Sequence, residues 1–258
     1  MRNWLRKLHW ILSDQFGWDP RKTFYAIARL PRFAREWWRF RQGYRGSLYL
    51  MPCLHDWHEQ AGAAKGEYFW QDLYVARKIF ASNPQKHVDI GSRIDGFVAH
   101  IASFREIEVL DVRPISAMVP GVTFREIDLQ AENQLKSAYC DSLSCLHALE
   151  HFGLGRYGDK IDPLGHELGL QQMLRLLRAN GAFYLSVPIG KECLEFNAYR
   201  VLSPATVLRL AHSNGLLLTS FAYVDSTGKL KESVDPMNDM ERLGASIYSL
   251  GIFTFVKQ

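Results

Sequence analysis

Three ionisable side chains crowd one short stretch of this chain: His147, Glu150 and His151. Imidazoles that titrate near neutrality are suited to taking a proton from a hydroxyl, and a carboxylate beside them can orient the ring. The spacing also puts positions i, i+3 and i+4 on one side of a helical turn, where three ligands can surround a divalent metal. No fourth ligand is obvious apart from His166. The trio is therefore expected to work as a proton-transfer set, with His151 or His147 as base, Glu150 as orienting partner and no metal. Metal assistance through the same three residues is the alternative. Arg156, Tyr157 and Asp159 follow in the same segment, and Asn197 and Arg200 lie further on. These five are expected to shape a site for a polyhydroxylated or acidic substrate. The plainer alternative for Arg200 is an ion pair with a neighbour such as Glu195.

A second group of residues suits a nucleoside. Val88-Asp89-Ile90-Gly91 runs into Ser92-Arg93-Ile94-Asp95-Gly96. A strand passing through a glycine turn into a helix brings backbone N–H groups close to a ligand's polar tail. Asp111 comes twenty residues after Gly91, where an acid at the end of the next strand can accept both ribose hydroxyls. Asp128 ends the third strand and is placed to meet an adenine amino group. The plain alternative is a ligand-free sheet whose acids cap helices.

Strands and helices must alternate to bring these segments together. A helix is expected over residues 67–82, then strands at 87–90, 108–111, 122–127, 142–146 and 182–187, with helices over 97–104, 167–178 and 204–214. Such alternation implies βαβ units and a parallel sheet, with ligands at the C-terminal ends of the strands. Residues 216–224 and 249–256 are long β-rich runs suited to an antiparallel edge pair.

The front of the chain differs from the rest. The formal net charge is +4, but eleven Lys and Arg against three acids put +8 on residues 1–46 and leave −4 on the remainder. Five of the seven Trp also lie there. The division is a basic amphipathic helical arm over 1–46 and an α/β body over 47–258. Asp19-Pro20 reads as an N-cap and first helical turn, and Pro31 as the end of that helix. A second stripe follows in Phe33, Trp37, Phe40 and Tyr44, flanked by Arg32, Arg35 and Arg39. Such a helix suits a membrane surface or docks on its own body. No nucleic-acid motif accompanies the charge. No run reaches the roughly 20 apolar residues of a membrane span. Cys53, Cys140, Cys145 and Cys193 form no zinc spacing and read as reduced thiols. The compartment expected is cytoplasmic, with a peripheral position at the inner membrane surface as the alternative to an arm packed on the body.

The segment His147-Ala-Leu-Glu-His-Phe-Gly-Leu-Gly-Arg-Tyr-Gly-Asp159, with Phe69-Trp-Gln-Asp-Leu73, Asp89-Ile-Gly-Ser-Arg-Ile-Asp-Gly96, Ser186-Val-Pro-Ile-Gly190 and Phe196-Asn197, resembles the DUF268 family over about residues 65–258. More broadly the chain is similar to class I methyltransferases at Asp89-Ile-Gly91, Leu110-Asp111, Leu149-Glu150-His151 and Leu177-Arg-Ala-Asn-Gly181. That resemblance implies a Rossmann-like, seven-stranded, mostly parallel sheet with one antiparallel strand. It also implies S-adenosylmethionine as cofactor, held by Asp89, Gly91, Arg93, Gly96, Asp111 and Asp128. Bacterial members of the family are associated with surface-glycan biosynthesis, which implies a sugar hydroxyl as methyl acceptor. The cofactor loop departs from GxGxG, because Arg93 and Asp95 stand at its second and third glycine positions. Arg93 must turn outward, or the pocket is altered.

Overall fold

The computed structural model describes residues 8–9, 11–58, 62, 64, 66–131, 135–232 and 236–258. The chain divides into two compact units, Met1–Ala63 and Ala64–Gln258.

The dominant element of the first unit is α1, Pro20–Gly43. Asp19 caps it, accepting hydrogen bonds from the backbone N–H of Arg21 (2.9 Å) and Lys22 (3.4 Å). The expectation that Pro31 ends this helix is corrected: α1 runs through it without a break. Proline removes one intrahelical hydrogen bond. Here Ala, Leu, Arg and Glu, all good helix formers, surround it on both sides, and no glycine interrupts before Gly43. Of an earlier stripe expected at helical spacing, Trp4, Leu5, Leu8, Ile11 and Leu12, the first two lie outside the described residues, and Ile11–Gln15 forms a short π-helical turn.

In the second unit, α2 (Glu67–Ser82) precedes β1 (His87–Ile90). A turn and the four-residue α3 (Ala99–Ala102) lead to β2 (Ile107–Asp111) and β3 (Val122–Glu126). Then come β4 (Cys140–Leu146), α4 (Gly165–Leu176) and β5 (Leu177–Ile189). A small hairpin, β6 (Cys193–Glu195) and β7 (Tyr199–Val201), precedes α5 (Pro204–Ser213) and β8 (Leu216–Val224). The chain finishes with β9 (Leu230–Lys231), α6 (Pro236–Ala245) and β10 (Ser249–Lys257).

The main sheet has the order β3-β2-β1-β4-β5-β10-β8-β9. Its first five strands are parallel, and β10 runs antiparallel between β5 and β8. This is the expected α/β architecture with eight strands instead of seven. The extra strand, β9, pairs only Tyr223 with Lys231 and Val224 with Leu230. It exists because Asp225 folds the chain back, its Oδ1 accepting from the N–H groups of Thr227 (2.9 Å) and Lys229 (3.1 Å). Two residues carry no periodicity that a sequence could show. The runs 216–224 and 249–256 do pair antiparallel, but β10 is an interior strand, which accounts for its nearly continuous burial.

Side-chain alternation along the strands feeds two cores. On one face Val88, Ile90, Leu143, Leu185 and Phe253 pack with Met173 and Leu174 of α4 and Val207 and Ala211 of α5. On the other, Val109, Tyr184 and Ile252 pack with Val75 and Ile79 of α2 and with Phe97 and Ile101. Helices on both faces leave the C-terminal ends of β1, β2, β4 and β5 as the place where loops converge.

Candidate functional site

The turn after β1 is braced from beneath. Asp89 is fully buried and accepts from the Ser92 N–H (3.0 Å) and hydroxyl (2.9 Å) and from the Ser144 hydroxyl. Burial pushes its carboxyl up to about 7. Ser144 also meets His87 Nε2 at 3.1 Å, and His87 Nδ1 meets Ser142 at 2.8 Å. Burial pushes His87 down to about 3, so its ring is neutral. Asp89 thus holds the turn's shape from inside the sheet.

Gly91 has φ +73°, and a Cβ there would come 2.9 Å from the Ala148 Cβ. The backbone of the β1 turn therefore lies directly against the segment that follows β4. Gly96 abuts α2, where a Cβ would come 2.9 Å from the Asp72 carboxylate. Arg93 turns outward: it is 69% exposed and pairs at 2.6 Å with the equally exposed Asp95. It does not plug the turn.

Asp111, at the end of β2, is engaged by a residue with no expected role. Arg113 donates to it through its backbone N–H (2.8 Å), Nε (3.0 Å) and an Nη (2.5 Å). The same guanidinium donates to the Gly91 carbonyl (3.0 Å) and lies 4.6 Å from the centre of the Tyr157 ring. Asp128 is half-buried just beyond β3, and among the described residues its carboxylate accepts only from the Gln130 N–H (2.8 Å).

The trio after β4 is brought together by a short 3-10 turn, Leu149–His151. His147 sits in the left-handed region, φ +52°, which bends its ring back over that turn. Its Nδ1 lies 2.7 Å from Glu150 Oε1, and its Nε2 lies 3.7 Å from Glu67 at the start of α2. Burial opposes its charge, but Glu150 and then Glu67 outweigh this and raise its pKa to about 9. Tyr68 covers the ring at 4.7 Å. His147 is thus an imidazolium at neutral pH.

His151 has the opposite character. Its Nδ1 is 2.7 Å from the Ala198 carbonyl. A carbonyl only accepts, so Nδ1 carries the proton and Nε2 presents a lone pair. Burial lowers its pKa, and the Arg156 guanidinium adds to this against the pull of Glu150. The Nε2 atom is 3.7 Å from Glu150 Oε1. Glu150 Oε2 is buried with no hydrogen-bond partner among the described residues.

Two residues expected to meet a substrate hold the loop instead. Asp159 accepts from the N–H groups of Tyr157 (3.2 Å), Gly155 (3.3 Å) and Gly153 (3.0 Å) and from Gln130. Arg200 is buried and donates to the carbonyls of Phe152 (2.5 Å), Pro163 (3.3 Å) and Glu150 (3.4 Å). It is not paired with Glu195. Arg156 donates to the Ala198 carbonyl at 2.9 Å, and Tyr157 meets the His151 ring edge-on at 5.6 Å. Asn197 is exposed at the tip of the β6–β7 hairpin, next to that carbonyl.

Sequence reasoning missed Glu67, Tyr68 and Tyr248. The Tyr248 hydroxyl donates to Glu67 at 2.7 Å, and no local pattern announces a contact between residues 181 positions apart. Arg113 was legible in principle, since Asp-x-Arg at a strand end allows self-pairing. Among the described residues, no three His, Cys, Asp or Glu side chains are arranged to hold a metal ion.

Residues 121–246 match the family model described as "Caenorhabditis protein of unknown function, DUF268". The segment spans β3 to the end of α6 and contains Asp128, the trio, Asp159, Asn197 and Arg200, while Gly91 and Asp111 precede it. No curated protein matches the sequence. Among solved structures, the chain is similar to a 1,6-didemethyltoxoflavin-N1-methyltransferase of Burkholderia thailandensis with bound 1,6-didemethyltoxoflavin and S-adenosylhomocysteine. That likeness has 15% identity and a TM-score of 0.51, covering 73% of this chain and 78% of the other. An S-adenosylmethionine-dependent methyltransferase from Clostridium acetobutylicum is similar at 10% identity and a TM-score of 0.51, covering 75% of this chain and 93% of the other. At these identities the likeness establishes the fold alone: the matched segment lies in a Rossmann-like, mainly parallel sheet.

Proposed function

We propose that this chain is an S-adenosylmethionine-dependent O-methyltransferase whose acceptor is a hydroxyl of a small molecule or of a surface-glycan sugar. The observation that carries the reading is His151: a neutral imidazole whose Nε2 keeps its lone pair, beside a buried carboxylate, next to the glycine turn of a methyltransferase-type sheet.

The residues fit a nucleoside-bearing cofactor. Gly91, at positive φ and packed on Ala148, lets the chain turn tightly out of β1 with no side chain of its own over the backbone. Asp111 and Asp128 supply acids at the ends of successive strands, for the ribose hydroxyls and the adenine amino group. One adjustment is required: Arg113 must yield part of Asp111. When bound, S-adenosylmethionine supplies an electrophilic methyl carbon.

The protein's own share is positioning and proton transfer. His151 Nε2 takes the acceptor's hydroxyl proton. The Ala198 carbonyl keeps Nδ1 protonated, and Glu150 stabilises the imidazolium that results. His147, already cationic, offsets one of the two negative charges on Glu150 and Glu67. Glu150 Oε2 is buried and lacks a donor among the described residues, which keeps its charge directed at the two imidazoles. Tyr68 and Tyr157 lie against the two imidazoles, with Tyr248 behind them on Glu67 and Tyr199 against Tyr248, and flat rings suit the C–H faces of a sugar. The measurement that tests the reading is calorimetry with S-adenosylmethionine and S-adenosylhomocysteine, followed by methyl transfer to hydroxylated acceptors by wild type and His151→Ala. Binding without transfer in the variant is expected. Full transfer by His151→Ala removes His151 as base.

The Arg113–Asp111 pair favours a second reading, a cofactor-free sheet that serves as a binding scaffold. Absence of both binding heat and thermal shift with the two nucleosides selects it.

A further inference from the structure

The strongest unassigned feature is α1. Over 24 residues, about 36 Å at 1.5 Å per residue, its two sides differ in chemistry. At 100° per residue, Ile27, Leu30, Phe33, Trp37 and Trp38 fall within one arc of about 140°, Arg21, Arg32, Arg35 and Arg39 fall within about 60° on the opposite side, and Phe24 lies at the boundary beside Arg35. No residue of the helix is buried. Phe24 is 69% exposed, Ile27 62% and Trp38 60%. Around them Arg21, Lys22, Arg35, Arg39, Arg41 and Arg45 are all exposed. The helix has one acid, Glu36, and Arg32 neutralises it at 2.7 Å.

We propose that α1 is an interfacial helix that lays its Ile27–Leu30–Trp38 side into an anionic bilayer surface. Charge decides the occupant. A bare apolar stripe suits any hydrophobic partner, but one bordered by uncompensated guanidinium groups is repelled by a second copy of itself and attracted by anionic headgroups. Tryptophan is the side chain that settles at the headgroup boundary, because its ring is apolar and its N–H is not. Among the described residues no helix is long and apolar enough to cross a membrane, so the helix lies along the surface. The proposal is independent of the catalytic reading, since no residue of the trio takes part.

The test is sedimentation of the full chain with vesicles of phosphatidylcholine alone or containing about 30% phosphatidylglycerol. Pelleting is expected with the anionic vesicles, at least about tenfold above neutral ones, and is weakened in about 0.5 M salt because exposed charges are then screened. Ile27→Glu/Trp38→Glu should abolish it, with circular dichroism confirming the fold. Should that variant misfold, Arg21→Ser/Arg35→Ser/Arg39→Ser, which keeps the apolar side intact, should lose most of the anionic preference. Failure to pellet, or equal pelleting of a folded variant, overturns the proposal. So does a concentration-dependent dimer that the apolar-side variant abolishes while vesicles bind neither protein, since the face is then an interface between copies.

Discussion

His147 Nδ1 and His151 Nε2 lie 2.7 Å and 3.7 Å from the same atom, Glu150 Oε1, yet the two rings are held in opposite protonation states. His147 is sandwiched between two carboxylates and stays charged. His151 meets a carbonyl on one side and the Arg156 cation nearby, and stays neutral. Groups of one type pushed apart by their surroundings take different roles, and only the neutral ring can accept a proton.

Activity should therefore depend on pH through His151. The base must be unprotonated, and its folded pKa lies below the ordinary 6.5, so the acid limb of kcat/KM should have its midpoint below 6.5. His151→Ala should leave cofactor affinity within about twofold and lower turnover by about 10²–10⁴-fold, the usual yield of a positioned base. An acid limb centred above 7, measured by initial rates across buffers, points to a different base.

His147 should show itself in stability. Its pKa rises from 6.5 to about 9 on folding. Its contribution is thus fully present below pH 6.5 and is lost as pH rises through about 9. Thermal melts of wild type should drop across that window, and His147→Gln should flatten the drop. Asp89, raised to about 7, also lowers stability as pH rises, but between its ordinary 3.8 and 7. The two contributions separate in a melt series from pH 4 to 9.5, about one point per half unit. A wild-type melting temperature that is flat between 6.5 and 9 contradicts the charged state of His147.

Arg113 should act as a competitor for Asp111. The guanidinium is more than a third exposed, and pairs of that kind are worth about 0–1 kcal/mol. Arg113→Ala should then tighten S-adenosylmethionine binding by up to about fivefold, since 1.36 kcal/mol is tenfold. Titration calorimetry reads this directly. A weakening of tenfold or more means that Arg113 contacts the cofactor itself.

Gly91→Ala should damage the site from the backbone outward. The new methyl meets Ala148 Cβ at 2.9 Å in a positive-φ conformation, so a loss of about 1–3 kcal/mol is expected. Chemical denaturation measures the loss, and cofactor binding should fall with it. Gly91→Ala/Ala148→Gly relieves the clash but not the positive φ, and should recover part of the stability. No recovery places the whole cost in the backbone.

Much of the architecture was legible because it rests on local rules. The apolar runs of β1, β2 and β4, the strong pattern of α2 and the Asp19-Pro20 cap are written in neighbouring residues, and periodicity and capping act over one or two turns. Strand alternation with helices was enough to place Gly91, Asp111 and the His147–His151 segment at one end of the sheet. Pro31 was misread because a local penalty was weighed without the helix-forming residues around it, and β9 escaped because two residues have no period.

What the sequence determined by itself was which groups reach the site: a glycine turn, two strand-end acids, two imidazoles and a carboxylate. What only the tertiary structure decided was their state. Glu67, Ala198 and Tyr248 arrive from distant elements to charge one histidine and fix the proton of the other, while Arg113 claims Asp111 and Arg200 is spent on carbonyls. Protonation and pairing depend on burial and on charges a few ångströms away in space, and distance along the chain does not encode either.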